Sequence, residues 1–247
     1  MRATALEFRL RVAIIFIVIW LGFWSPWIEG WGLGRRIALL ERLPLEISRI
    51  GLFPFTAAAP AVIVVAALIA AFAAALRIWA TAYLGPGTVN STQMKAGAVL
   101  ADGPYRYVRN PLYIGLWCMI AAMAFLMPAT GALFVIVLLT VFLLRLILAE
   151  EAFLAGRLGE AYRAYLHSVP RLFPRLKTTV PPTGQKPQWF HAVVAEVNPV
   201  GVFFIMAVLS WSYDNRLMVR AILVSFGVSL VVRALMPRAG EKASPAE

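Results

Sequence analysis

The chain has 247 residues, of which 61% are hydrophobic and only 14% are charged. Soluble domains carry about a quarter charged residues, so this composition excludes an ordinary soluble enzyme and indicates a protein that uses the bilayer as its solvent. The net charge of +11 does not indicate a nucleic-acid partner, because the Lys and Arg residues alternate with apolar runs. The positive-inside rule and attraction to anionic lipid headgroups account for them.

Apolar segments along the chain predict an all-α, polytopic integral membrane protein with about six transmembrane helices, since about 20 residues cross the hydrocarbon core. After the first segment, the apolar spacing within residues 29–55 predicts a short helix lying in the membrane interface. The third and fourth segments are joined only by Pro128, Ala129 and Thr130, so they must form a tight antiparallel helical hairpin. The six predicted spans are residues 12–28, 57–83, 111–127, 131–148, 199–213 and 217–235.

A cytoplasmic amphipathic helix is predicted directly after the hairpin, over residues 150–167. One broad apolar face carries its larger side chains. This face consists of Phe153, Leu154, Leu158, Ala161, Tyr162 and Tyr165.

The predicted elements divide the chain into three parts. Residues 1–56 hold the first span and the interfacial segment. Residues 57–176 hold three spans, a polar loop and the amphipathic helix, and residues 177–247 hold a linker, two C-terminal spans and a tail. Lys and Arg are concentrated on one side of this arrangement, which predicts that both termini lie in the cytoplasm.

The densest polar segment lies immediately before the hairpin, at residues 103–115. Asn110 is a favourable N-cap, and Pro111 is a favourable first residue of a helix. Arg109 and the unpaired N–H groups of that helix start would together attract an anionic group. An ordinary membrane boundary, at which Tyr and Arg side chains anchor a span, explains the same residues equally well.

A second polar group marks the end of the hairpin, where Arg145 precedes Glu150 and Glu151 by about one turn. An unpaired charge in an apolar segment is costly, so Arg145 is expected to snorkel to the interface or to pair with a carboxylate such as Glu150 or Glu151. Simple capping of the next helix by the two carboxylates is the alternative. Because the hairpin is tight, residues 109–113 and 145–151 must lie close together, which favours one shared site.

Metal and covalent chemistry have no candidates in the sequence. His167 and His191 lack acidic or cysteine partners at ligand spacing, so we expect no metal site. Cys118 is the only cysteine and lies in a predicted span, which excludes a disulfide within one chain. No Ser-His-Asp or Cys-His arrangement is evident.

Three ordered motifs resemble those of the isoprenylcysteine carboxyl methyltransferase family, whose relatives include the membrane phospholipid N-methyltransferases. They are residues 103–113 (GPYRYVRNPLY), the Glu150-Glu151 pair, and residues 158–171, which end in Val169-Pro170-Arg171. The resemblance covers about residues 77–174. Asn110 stands where the family usually has His; an amide can replace a neutral imidazole as a hydrogen-bonding group but does not titrate near neutral pH.

The resemblance implies an integral membrane methyltransferase that binds S-adenosylmethionine at the cytoplasmic side and takes a membrane lipid or other lipophilic acceptor from the bilayer. The acceptor group, an amine, a thiol or a carboxylate, stays open. Arg145 and Tyr162 are candidate acceptor-binding residues, and Arg109, Asn110, Glu150 and Glu151 are candidate catalytic residues. The candidate cofactor-binding residues are Gly103, Tyr105, Arg109, Asn110, Pro111, Tyr113, Glu150 and Glu151.

Two other functions compete with methyl transfer. One is an NADPH-dependent membrane reductase of the sterol-reductase type, which shares a related hairpin and a similar Tyr- and Pro-rich ending. The chain lacks a convincing proton-donor Tyr with a partner acid for that reaction. The other is a non-catalytic membrane lipid-binding protein. Titration with S-adenosylmethionine and with NADPH separates all three functions.

Overall fold

A computed structural model describes residues 2–24, 37–84, 101–178 and 180–235. The regular secondary structure in these ranges is helical, which confirms the predicted all-α class. Two short 3-10 helices, Gly103–Arg106 and Leu209–Ser212, accompany the α-helices. The α-helices are α1 (Ala5–Arg9), α2 (Arg11–Phe23), α3 (Leu39–Arg49), α4 (Phe55–Leu84), α5 (Pro111–Ala124), α6 (Ala129–Ser168), α7 (Trp189–Ala195), α8 (Val197–Val208) and α9 (Asn215–Leu235).

The described ranges support fewer membrane spans than the predicted six. In the described ranges, α4, α6 and α9 are long and apolar enough to cross a membrane, and α7 with α8 forms a fourth candidate that is bent by 68°. Helices α2 and α5 have only 13 and 14 residues, fewer than the roughly 20 that a span needs. Six complete spans are therefore not confirmed; residues 25–28 of the predicted first span lie outside the described ranges.

The predicted helical hairpin is formed by α5 and α6, which pack against each other. Its turn lies at residues 125–128, slightly before the predicted position, and Pro128 directly precedes α6. Two backbone hydrogen bonds from the start of α3 hold this turn, from Leu39 N to the Met127 carbonyl at 2.9 Å and from Leu40 N to the Phe125 carbonyl at 2.8 Å. These bonds account for the early end of α5.

The predicted amphipathic segment is the continuation of α6 past the apolar part of that helix. Gly159, with φ of 59°, introduces a kink within this segment, so residues 150–167 are not one straight helix as predicted. Tyr162 and Tyr165 are buried as expected, whereas Ala161 is exposed and does not belong to the buried face. The part of the segment before Gly159 directly continues the second helix of the hairpin.

Small residues allow two close approaches between helices. The buried side of α4 is rich in alanine, and Ala66, Ala70 and Ala73 pack with residues of α5 in one apolar core. Helices α2 and α6 approach even more closely, since a Cβ atom added at Gly131 would lie 1.9 Å from the carbonyl oxygen of Gly22. Glycine is required at this crossing because the neighbouring atom belongs to the backbone.

Asp102 joins the segment before α5 to the linker before α7. Its buried carboxylate accepts hydrogen bonds from the Thr183 hydroxyl and from the backbone N–H groups of Gly184 and Gln185, the latter two at 3.2 and 3.0 Å. Burial raises the pKa of Asp102, but the hydrogen bonds from Thr183, Gln185 and Gly184 outweigh it and hold the pKa below its ordinary value. The ionised form thus stabilises this connection.

Replacement of Gly131 by Ala should lower the melting temperature of the detergent-solubilised protein, corresponding to about 1–3 kcal/mol of overpacking. Gly156→Ala is the matched control on the same helix, because a Cβ atom there meets no atom within 4 Å. The control should leave stability unchanged or raise it slightly. Equal melting temperatures for the two variants would contradict the close approach of α2 and α6.

Asp102→Asn should destabilise the protein at pH 7 by about 1–3 kcal/mol, since the amide cannot accept all three hydrogen bonds. The folded state has the lower pKa, so the stabilisation by Asp102 is fully present above about pH 4 and is lost as pH falls through the folded-state pKa. Thermal unfolding from pH 7 to pH 3 measures this. The difference between the unmodified protein and the variant should shrink below pH 4, and a constant difference would contradict the assignment.

Candidate active site

Glu151, a residue of α6, is the centre of a buried ion-pair network that lies beside the start of α5. Its carboxylate accepts hydrogen bonds from Arg171 Nη2 at 2.8 Å and from Asn110 Nδ2 at 3.1 Å. Arg109 Nε lies 3.5 Å from Glu151 Oε1. The Glu151 side chain is only 7% exposed, and two guanidinium groups and one amide offset the desolvation of its charge.

Glu150 points to a different side of α6, as expected for adjacent positions on a helix. Its Oε2 atom accepts a hydrogen bond from the Tyr113 hydroxyl at 2.8 Å. Tyr113 belongs to the first turn of α5, one turn after Asn110. The two polar ends of the hairpin therefore meet, and the predicted closeness of residues 109–113 to the Glu150-Glu151 pair is confirmed.

The segment after α6 covers the start of α5 from the outside. Arg109 donates its backbone N–H to the Pro170 carbonyl at 2.9 Å and its Nη1 group to the Leu166 carbonyl at 3.2 Å. Asn110 Nδ2 also lies 3.3 Å from the carbonyl of Arg171. These bonds bring all three motifs of the sequence together in one place.

Two predictions about this helix start have different outcomes. Pro111 is the first residue of α5, as expected. Asn110 precedes it, but its side chain makes no capping hydrogen bond, because the amide is directed to Glu151 and to the Arg171 carbonyl. Arg171 was missing from the predicted site, although the Val169-Pro170-Arg171 motif had singled out its position.

Tyr105 lies in the short 3-10 helix before α5 and is 8% exposed. Its carbonyl accepts a hydrogen bond from the Tyr165 hydroxyl at 2.8 Å, but its own hydroxyl oxygen is buried without a hydrogen-bond partner. Burial, reinforced by the charge of Glu150, raises the pKa of Tyr105 well above its ordinary value. The hydroxyl stays protonated and is available as a donor.

Gly103 is required at the start of the same 3-10 helix. Its φ is +53°, a conformation that favours glycine, and a Cβ atom would lie 2.4 Å from the ring of Tyr83. The residue thus acts through backbone geometry, since it lets the polypeptide pass close to α4 and place Tyr105 in the interior.

Arg145 does not join this network, which corrects the predicted pairing with Glu150 or Glu151. It donates from Nη2 to both carboxylate oxygens of Glu7 in α1, at 2.8 and 2.9 Å, and its carbonyl accepts the Ala3 N–H at 3.1 Å. Bonds from the Thr4 backbone and from Arg145 lower the pKa of Glu7. The correct partner comes from the N-terminal helix, far away in sequence.

Tyr162 lies beside the network on the amphipathic part of α6. Its ring packs against that of Tyr165, with 5.7 Å between ring centroids. Ala101 and Val169 complete a small buried cluster around the two rings.

A second buried ion pair, absent from the prediction, joins α4 to the break between α7 and α8. Arg77 donates from Nε and Nη2 to Glu196 at 2.7 and 3.0 Å. Arg77 Nη1 also lies 3.3 Å from the carbonyl of Leu112 in the first turn of α5. A charge inside an apolar segment such as 57–83 was the sequence signal that could have identified Arg77.

The arrangement suits a small ligand that carries charges of both signs. Arg109, Tyr113 and the start of α5 lie together, with the carboxylates of Glu150 and Glu151 beside them. In the described part of the chain, no group of three or more His, Cys, Asp or Glu side chains is placed to hold a metal ion.

Residues 61–161 match the sequence model of the phospholipid methyltransferase family. This stretch contains α5 and most of α4 and α6, with Arg109, Asn110, Tyr113 and the Glu150-Glu151 pair. No curated protein and no solved structure matches the chain. The predicted resemblance is thereby confirmed at the level of the group to which the isoprenylcysteine carboxyl and phospholipid methyltransferases belong. The match over residues 61–161 to the phospholipid methyltransferase family supports the conclusion that the chain is a membrane methyltransferase.

Proposed function

We propose that the methyl donor is S-adenosylmethionine, that it binds beside the start of α5, and that the acceptor is a lipophilic molecule drawn from the membrane. The observation that carries the proposal is the meeting of the two polar ends of the hairpin within the family segment. Asn110 contacts Glu151 at 3.1 Å and Tyr113 contacts Glu150 at 2.8 Å, although about 40 residues separate the partners in each pair.

Buried polar atoms without hydrogen-bond partners support a ligand of this kind. Tyr105 Oη and Arg109 Nε are two such atoms among the described residues. Arg109 Nε lies 3.5 Å from Glu151 Oε1, so the Tyr105 hydroxyl is the donor of the two that is left for a ligand. Arg109 is suited to the cofactor's carboxylate, Glu150 to its amino group or ribose hydroxyls, and Tyr105 to a further hydrogen bond. The residues present therefore fit S-adenosylmethionine.

Glu151 has a different role in this proposal from that of Glu150. Its carboxylate is already surrounded by Arg171, Asn110 and Arg109. We assign it to holding Arg109 and Asn110 in place for the cofactor, as a positioning residue, whereas Glu150 is assigned to ligand contact.

The cofactor supplies an electrophilic methyl group on a sulfonium, and transfer is an in-line displacement. The protein must align the acceptor and exclude water, which the buried rings of Tyr162 and Tyr165 favour. A carboxylate or thiolate acceptor needs no base. An ammonium acceptor does, and Glu150, with the Tyr113 hydroxyl hydrogen-bonded to its Oε2 atom, is the candidate to take the proton.

The acceptor is proposed to be lipophilic because the protein lies in the membrane. A phospholipid headgroup amine is the first acceptor to test, because the matching family is described as phospholipid methyltransferases. Tyr162 and Arg145 are assigned to acceptor binding. Arg145 would act together with its partner Glu7 at the membrane edge. The excess of Lys and Arg on one side supports a site that faces the cytoplasm, with both termini there.

Tyr105→Phe should weaken S-adenosylmethionine binding about fivefold to tenfold, the effect of one neutral hydrogen bond. The melting temperature without ligand should stay constant or rise, because the hydroxyl has no protein partner to lose. Isothermal titration calorimetry and thermal unfolding in detergent give the two values. An unchanged dissociation constant would exclude the Tyr105 hydroxyl from the cofactor site.

Glu151→Gln should raise the dissociation constant of S-adenosylmethionine by at least about tenfold, since two arginines and an amide lose their anionic anchor. Glu160→Gln is the matched control in the same helix, where an exposed pair with Arg163 contributes little. Equal affinities for the two variants would contradict the role of Glu151.

Methyl transfer itself is tested with labelled S-adenosylmethionine, purified protein and vesicles that contain phosphatidylethanolamine. Label in the lipid fraction, lost in Glu150→Gln, is the expected result for an amine acceptor. Label in a prenylated thiol or a carboxylate from a total lipid extract would redirect the acceptor and leave the donor unchanged. Binding of NADPH but not of S-adenosylmethionine would contradict the proposal.

A further inference from the structure

The ion pair between Arg77 and Glu196 is the most deeply buried charge pair in the described part of the chain. The side chains of Arg77 and Glu196 are 11% and 0% exposed. A third bond reaches the same carboxylate, since the Thr81 hydroxyl donates to Glu196 Oε1 at 2.6 Å. Each charge is thereby compensated inside an apolar bundle, where an unpaired charge is costly.

Glu196 is located where the C-terminal span is broken. It is the residue between α7 and α8, which meet at an angle of 68°. At this break its side chain meets Arg77 and Thr81 of α4. The C-terminal helices, which lie outside residues 61–161, thus place a carboxylate against the family segment.

Arg77 links this carboxylate to the start of α5. Its side chain crosses α5 at Gly115, where an added Cβ atom would lie 2.5 Å from Arg77 Cγ and 3.3 Å from the Ala73 carbonyl. Its Nη1 group then reaches the Leu112 carbonyl at 3.3 Å. Leu112 lies between Asn110 and Tyr113, the two residues that contact Glu151 and Glu150.

The guanidinium therefore touches two elements at once. One set of its donors is fixed by Glu196, and the remaining nitrogen bonds to the backbone of the first turn of α5. The charges of Arg77 and Glu196 also act on Tyr105, whose unpartnered hydroxyl belongs to the candidate site. The ion pair is thus close to the candidate site.

We propose that Arg77, oriented by Glu196, is a positioning residue for methyl transfer, and that the broken C-terminal helix is a working part of the methyltransferase. Arg77 holds the first turn of α5 in the register that brings Asn110 and Tyr113 to their carboxylates. This inference rests on the proposed use of S-adenosylmethionine at that site. It means that the C-terminal helices contribute to cofactor affinity, although no family motif covers them.

The test separates positioning from simple stabilisation with one double variant. Arg77→Met and Glu196→Leu are made singly and together, and each protein is measured for melting temperature, S-adenosylmethionine affinity, kcat and KM. Each single variant should unfold at a lower temperature, because it leaves a buried charge unpaired. The double variant should regain most of the melting temperature, since apolar residues can replace a buried ion pair. Its cofactor affinity should stay about tenfold or more below normal, because the Leu112 carbonyl has lost the bond that Arg77 gave to the first turn of α5.

Arg77→Lys gives a second measurement that does not depend on the double variant folding well. A lysine preserves the charge facing Glu196, but its compact ammonium cannot reproduce the planar fork that serves both Glu196 and Leu112. We expect a near-normal melting temperature with a raised dissociation constant for the cofactor. Arg163→Met, which removes an exposed arginine of α6, is the control and should change neither value.

The outcomes distinguish this inference from the proposed function. Normal cofactor affinity and KM in both the double variant and Arg77→Lys would overturn the positioning role and leave the methyl donor in place. Failure of the unmodified protein to bind S-adenosylmethionine would overturn the proposed donor, and the positioning role with it. Weak binding in the thermally stable variants, with normal binding in the control, supports both.

Discussion

Burial of carboxylates at the edge of an apolar bundle is the constraint on which this structure depends. A carboxylate that leaves water needs cations and hydrogen-bond donors in fixed positions. Glu151 gathers Arg171, Arg109 and Asn110, and Glu196 gathers Arg77 and Thr81. Because the donors come from segments far apart in sequence, satisfying each carboxylate also sets how the helices are arranged.

The networks around both carboxylates hold the start of helix α5 in place. Its start is held from one side by the motifs after α6 and from the other by Arg77 through the Leu112 carbonyl. Its end is held by the backbone bonds that α3 makes to the hairpin turn. A helix of 14 residues is thereby fixed at both ends, which gives the short element the rigidity that a ligand-binding segment requires.

Features governed by local pattern could be predicted from the sequence. The all-α class, the hairpin and the meeting of Asn110 and Tyr113 with the two glutamates followed from apolar run lengths and one short turn. Partners chosen by tertiary packing could not be predicted in this way. Arg145 pairs with Glu7, and Arg77 pairs with Glu196, over separations of more than 100 residues. The length of α5 was overestimated because bonds from α3, which run between segments, end that helix.

The distance in sequence between Arg77 and Glu196 also affects how the protein is made. Glu196 follows Arg77 by 119 residues, which at about 5–20 residues per second corresponds to roughly 6–24 seconds of translation. During that interval the nascent α4 enters the membrane with an arginine whose carboxylate has not yet been synthesised. Residues 61–161 are complete before Glu196 is made, and until then the start of α5 lacks one of its two supports. The Arg77–Glu196 pair, which no family motif includes, therefore forms only after translation has passed residue 196.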